Sequence, residues 1–199
     1  MYTESPQIIL ASASPRRREL LDQLGISYDV APAEIQEQPH PEESPEAYVQ
    51  RVAAEKSLET WRNSGGRLPV LAADTAVVLD GIILGKPQDF EHALHMLSRL
   101  AGREHQVLSA VSLRQGDAHW EALNVSCVTF RPISRKEIEA YWATGEPRDK
   151  AGAYAIQGKG AIFVRHLSGS YSGVMGLPLF ETAELLKRVG ISVLNIPFP

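Results

Sequence analysis

The chain has a single cysteine, Cys127, among its 199 residues. That excludes an internal disulfide and any cysteine-built zinc site. No apolar run approaches the roughly 18 residues of a membrane helix, and the N-terminus shows no basic-then-apolar leader pattern. Neither membrane spanning nor secretion is expected, and cytoplasm is the default location. Positive charge is not in excess, since 20 Lys and Arg stand against 24 Asp and Glu for a net charge of −4. Without a long basic stripe, nucleic acid is not an expected partner. Aromatic residues are few, and Trp61, Trp120 and Trp142 are too scattered to form a stacking platform. Familiar catalytic signatures are missing as well, among them a G-x-S-x-G elbow, a G-x-G-x-x-G turn, a Walker A loop and H-E-x-x-H. His92 and His95, spaced i and i+3 without further ligands, read as surface residues. No repeat, low-complexity tract or linker interrupts the chain, so residues 1–199 are expected to form one domain.

What is present is an alternation of short apolar runs and amphipathic stretches. Strands are expected at Ile8–Ala11, Ser27–Val30, Pro69–Asp74, Ala76–Leu79, Ile82–Leu84, His105–Leu113, His119–Phe130 and Ile162–Val164. Asp80-Gly81 is a two-residue hairpin signal. Helices are expected after Pro15, from Ser44-Pro45, over Phe90–Leu100, after the Ser134-x-x-Glu137 capping box, and from Pro178 to Val189. Hairpins mixed with strand–helix alternation imply an α/β protein with a mixed sheet covered by helices.

The most informative segment is Ser12-Ala13-Ser14-Pro15-Arg16-Arg17-Arg18. A strand runs into it and a helix leaves it, with Ser14 at the N-cap and Pro15 at the first helical position. Free backbone N–H groups and guanidinium groups then converge on one volume, which attracts phosphate. A plain strand–turn–helix with a solvated basic turn is the competing reading, but arginines there oppose the helix dipole unless an anion compensates.

Asp74 follows the apolar run Val70–Ala73 and is expected at a strand end, where it could hold a divalent cation, accept a proton from water, or simply satisfy turn N–H groups. Lys86 lies on the constrained Gly85-Lys86-Pro87 loop and Lys56 on an amphipathic helix; each alone reads equally well as solvated. Glu37 is one of several acids in a polar loop. The stretch Lys150–Gly160 carries three glycines that allow close backbone approach. Its Gln157 could offer an amide donor and a carbonyl acceptor to a base edge. Tight turns around a short strand explain the same stretch without a ligand.

Taken together, these segments resemble the Maf family of nucleoside triphosphate pyrophosphatases over about Ile8 to Val189. The resemblance is carried by Ser12–Arg17, Ala73-Asp74-Thr75, Gly85-Lys86-Pro87, Asp149–Gly158 and Gly176-Leu177-Pro178-Leu179. It implies a two-lobed α/β fold similar to inosine triphosphate pyrophosphatases, with the active site in the cleft between lobes. It also implies hydrolysis of a nucleoside triphosphate to the monophosphate and pyrophosphate, assisted by a divalent cation, Mg²⁺ or Mn²⁺. Carried over residue by residue, the catalytic acceptor falls on Asp74. Phosphate and metal contacts fall on Ser12, Arg16, Arg17, Glu37, Lys56 and Lys86, with Glu37 and Asp74 as the metal's carboxylates. Base selection falls on Arg16, Thr75 and Gln157.

The family branches at the base. Members resembling 7-methyl-GTP hydrolases carry glutamate where Gln157 stands, which suits the adjacent N–H donors of guanine. Uracil and thymine pair an N–H with carbonyl acceptors, and an amide meets both. The resemblance therefore implies the dTTP/UTP branch, with a homodimer allowed. Two alternatives are 7-methyl-GTP as substrate and a non-catalytic nucleotide-binding regulator, since members of the family are linked with septum formation.

Overall fold

The computed structural model describes residues 5–194. Seven strands form one mixed sheet: β1 (Ile8–Leu10), β2 (Tyr28–Val30), β3 (Val70–Leu79), β4 (Ile82–Leu84), β5 (Glu104–Gln115), β6 (Ala118–Phe130) and β7 (Val164–Ser168). Their order is β2-β1-β3-β5-β6-β7, and β4 pairs with β3. β1 runs parallel to β2 and β3, and every other pairing is antiparallel. The β3–β4 turn places both Asp80 (φ 54°) and Gly81 (φ 74°) in the left-handed region, as a tight two-residue hairpin requires.

Helix α2 (Pro45–Asn63) covers one sheet face. Its Tyr48, Val49, Val52 and Ala53 pack on Ala76 and Val78 of β3 and on Leu108 and Ala110 of β5. The other face carries two separate cores. One joins Leu71, Ala73, Val111 and Leu113 to α1 (Pro15–Gln23) and α6 (Leu179–Lys187). The second joins Val77, Leu79 and Val107 to α3 (Phe90–Leu100) and α4 (Arg135–Ala143). Leu97 and Leu100 of α3 are fully buried there, worth about 2 kcal/mol each. The gap between these cores, at Thr75 and Ser109, is polar and divides that face into two parts. Trp61, Trp120 and Trp142 pack at the margins of three different clusters. Among the described residues no helix is long and apolar enough to cross a membrane.

Two expected boundaries are corrected. β3 does not end at Asp74 but continues unbroken to Leu79, with Asp74 paired to Ala110 and Thr75 to Ser109. The long partner β5 keeps the ladder going through two polar residues. Ile162 and Phe163 belong to a 3-10 turn, Lys159–Phe163, and the strand follows at Val164–Ser168. Phe163 is buried by packing edge-on to Tyr141 (5.1 Å) and tilted against Phe130 (6.1 Å) rather than by strand pairing. A short helix α5, Tyr171–Met175, lies in the glycine-rich region where none was expected.

Candidate active site

β3 is open along one edge for a few residues. β1 pairs with it only as far as Leu71, and β4 joins only at Val77. Asp74 and Thr75 lie in that opening and, as neighbours in a strand, point to opposite sheet faces. Asp74 faces α2, where it meets Lys56. Thr75 faces the polar gap, where it meets Ser109 and the end of α5. A cavity of about 410 Å³ wraps this edge. The nine expected site residues all line it: Ser12, Arg16, Arg17, Glu37, Lys56, Asp74, Thr75, Lys86 and Gln157.

On the α2 side the site is a buried charge cluster. Lys56 Nζ donates to Asp74 Oδ1 at 2.9 Å and lies 2.9 Å from Glu37 Oε1. Lys56 is only 7% exposed and Asp74 6%. Burial raises the Asp74 carboxyl above the usual carboxylate range, against the pull of Lys56 and Arg17 toward the ionised form. Glu37 reaches the cluster from the polar loop after β2.

The segment between β1 and α1 supplies the second wall. Ser14 is the N-cap of α1 and Pro15 its first residue, but the Ser14 side chain makes no cap bond. Instead Ser12 Oγ accepts from Ser14 N–H at 3.2 Å and from Arg17 Nη1 at 3.1 Å. With two bonds accepted, the Ser12 hydroxyl keeps its own hydrogen to donate. Arg17 Nε donates to Gly176 O at 2.8 Å. Burial lowers the Arg17 pKa, while Asp74 and Glu37 act to retain its charge. Arg16 Nη1 lies 3.6 Å from Asp149 Oδ2, and Lys150 also pairs with Asp149. Arg18 is exposed and outside the cavity lining.

On the polar-gap side, Ser109 Oγ donates its one hydrogen to Gly173 O at 2.6 Å. The 2.9 Å bond between Thr75 Oγ1 and Ser109 Oγ must then run from Thr75 to Ser109, which leaves Thr75 Oγ1 with lone pairs to offer a ligand. Lys86 is exposed on its loop. That loop is tied to the glycine-rich stretch by Gly152 N–H donating to Gly85 O at 3.0 Å. Gly152 sits at φ +66° with Val77 Cγ1 2.9 Å from where a Cβ would be, so its conformation and its packing both require glycine.

Sequence reasoning missed Asp149, Tyr154 and the Gly176 carbonyl as parts of the lining. Gly176 had a signal: a glycine between α5 and α6, here at φ +123°, turns its carbonyl toward Arg17. Among the described residues no group of three or more His, Cys, Asp or Glu is gathered as a metal site, and His92 and His95 lie on α3 away from the cavity.

A buried acid and a ring of cations and hydroxyls meet at the open edge of a mixed sheet, an arrangement suited to a polyanion. The chain belongs to the Maf family: the family model for Maf-like proteins matches residues 7–189. It is 57% identical over 196 residues to a dTTP/UTP pyrophosphatase of Methylococcus capsulatus, covering 98% of this chain and 97% of that protein. It is 55% identical over 199 residues to a dTTP/UTP pyrophosphatase of Nitrosomonas europaea, covering 94% and 96%. Among solved structures, a nucleoside-triphosphatase/dITP/XTP pyrophosphatase from Mycobacterium abscessus aligns at TM-score 0.40 and 18% identity, over 62% of this chain and 72% of that one. The Staphylococcus aureus Ham1 protein aligns at TM-score 0.42 and 14% identity, over 62% and 71%.

Proposed function

We propose that this chain hydrolyses dTTP and UTP to the monophosphate and pyrophosphate. The observation that carries the reading is the cavity at the open edge of β3. There the buried Asp74 carboxylate, five cationic side chains and the hydrogen-bonding side chains of Thr75 and Gln157 line one volume. Its relatives' names support the pyrimidine preference.

In this reading Ser12, Arg16, Arg17, Lys56 and Lys86 hold the triphosphate and offset the charge that builds on the departing pyrophosphate. Asp74 accepts a proton from water as the water oxygen bonds to phosphorus and the bond to the pyrophosphate oxygen breaks. A carboxyl raised by burial is a stronger base than an exposed one once ionised. Thr75 Oγ1 offers an acceptor to the pyrimidine N3–H, and the Gln157 amide offers a donor to a ring carbonyl. Adenine has no ring N–H on that edge and leaves Thr75 unpaired, while guanine, whose N1–H and O6 repeat the pattern, is set apart by its extra amino group and larger ring.

The donor set fits a divalent cation. Glu37 and Asp74 already converge on one positive centre, the Lys56 ammonium. Two carboxylates completed by phosphate oxygens make the all-oxygen environment that Mg²⁺ or Mn²⁺ takes. Glu37 and Asp74 would hold it, and when bound it would neutralise phosphate charge.

The test is a panel of UTP, dTTP, CTP, GTP, ATP and 7-methyl-GTP with Mg²⁺ or Mn²⁺, reading both products. The expected result is pyrophosphate and monophosphate in equal amounts, fastest from UTP and dTTP. A purine preference, or release of orthophosphate instead, overturns the reading.

A further inference from the structure

The loop that carries Gln157 is fastened from outside. Glu146, in the 3-10 turn Glu146–Asp149 after α4, accepts at Oε1 from Tyr141 Oη at 2.6 Å and from Gly160 N–H at 3.0 Å. Its Oε2 accepts from Lys159 N–H at 2.9 Å. Tyr141 Oη in turn accepts from Ala155 N–H at 3.1 Å. Two side chains thus satisfy three backbone donors that bracket Gln157, one before it and two after.

The glycines of the loop are shaped to this brace. A Cβ on Gly158 would fall inside the contact shell of the Glu146 carboxylate. One on Gly160 would stand 2.6 Å from Tyr141 Oη and 2.8 Å from Ala155 O. Gly158 has φ −115°, so the backbone does not demand glycine there; the approach of Glu146 does. Although burial works the other way, the Tyr141 hydroxyl and the Lys159 and Gly160 amides hold Glu146 below the usual carboxylate range. Burial, with Glu146 beside it, raises the Tyr141 pKa and keeps its hydrogen in place. Neither side chain lines the cavity.

We infer that Tyr141 and Glu146 are positioning residues for base selection, fixing the loop so that Gln157 meets the pyrimidine edge while they touch no ligand themselves. The inference rests on the reading of Gln157 as a base contact given above. A brace that acts on the base alone should alter the choice between nucleotides and leave the grip on phosphate intact.

The experiment compares wild type, Tyr141→Phe, Glu146→Gln and Gln157→Ala. For each, kcat/KM is measured with UTP, CTP and GTP, and inorganic tripolyphosphate serves as a competitive inhibitor that reports on the phosphate contacts alone. Tyr141→Phe keeps the buried ring and removes only the hydroxyl, so it remains informative if Glu146→Gln does not fold. Both brace variants should lower the UTP:CTP and UTP:GTP ratios by roughly three- to tenfold, the span of one lost hydrogen bond. Tripolyphosphate inhibition should stay at the wild-type level, and Gln157→Ala should shift the ratios in the same direction. If Gln157→Ala moves the ratios while the brace variants lower all three substrates in parallel, the positioning role is overturned and the base-contact reading stands. If Gln157→Ala leaves the ratios unmoved, the base-contact reading fails and takes the inference with it.

Discussion

Lowering the pH from about 7 to about 5 should weaken the fold by about 2 kcal/mol through His105 alone. The ring is 3% exposed. It stands edge-on to Phe130 at 4.9 Å and to Tyr154 at 5.5 Å, and its Nε2 is 2.9 Å from Tyr154 Oη. Burial pushes the imidazole from 6.5 down to about 4, because the charged ring would lose its hydration with no carboxylate to replace it. An unfolded chain takes up this proton near pH 6.5 and the folded chain only near pH 4. Between those values the unfolded state binds more protons, so stability is whole above pH 6.5 and is lost as pH falls toward 4. A gap of about 2.5 pH units at about 1.4 kcal/mol each gives about 3 kcal/mol in all, of which about 2 is lost by pH 5. The assay is urea unfolding of wild type and His105→Gln at both pH values. Glutamine does not titrate and can still meet the Tyr154 hydroxyl, so carboxylates that titrate in both proteins cancel in the difference. Wild type should lose about 2 kcal/mol more than the variant across the interval. Parallel losses in the two proteins would show that His105 takes up its proton equally in the folded and unfolded chains.

Asp74→Asn should lower kcat by on the order of 10²–10⁴ with little change in KM, as expected for a lost general base of unchanged volume; near-normal turnover would remove Asp74 from the chemistry. Arg17→Ala should lower kcat/KM for every triphosphate by a similar factor, since phosphate carries no base information, and a loss confined to one nucleotide would contradict a phosphate role. Lys56→Met keeps most of the buried stem but leaves Glu37 and Asp74 without their shared cation. It should cost about 3–5 kcal/mol in urea unfolding at neutral pH, and an unmoved midpoint would show that the cluster is not held by that charge.

Local chemistry made several elements legible. α3 spans Phe90–Leu100 as its periodicity implied, with Asp89 as its N-cap. Ser134 and Glu137 form the full capping box, and Asp80-Gly81 forms the hairpin. What was not legible depends on partners distant in sequence. Asp74-Thr75 reads as the end of an apolar run because nothing nearby shows that β5 will pair straight through it. Lys56 looks like an ordinary helical lysine until β3 and the loop after β2 bring two carboxylates to it. Phe163 suggests a strand because its burial, against Tyr141 and Phe130, is aromatic stacking between elements that the local pattern does not record. The glycines at 158 and 160 advertised close approach, but the approaching groups, Glu146 and Tyr141, are named only by the fold. Motif resemblance drew together residues from distant parts of the chain, Ser12 to Gln157, which periodicity cannot do.

The bond from Arg17 Nε to the Gly176 carbonyl joins residues 159 apart in the chain, and Ser109 reaches Gly173 across 64. Synthesis delivers the arginine early and its anchor late. Until Gly176 has left the ribosome, Arg17 has no carbonyl to orient its guanidinium and Ser109 has no acceptor to fix the direction of its bond with Thr75. A nascent fragment that stops short of α5 can carry the whole of β3 and still lack the finished cavity. Long-range closure of this kind slows folding relative to local pairing, and it makes the finished cavity wait on the synthesis of α5 and the glycine after it.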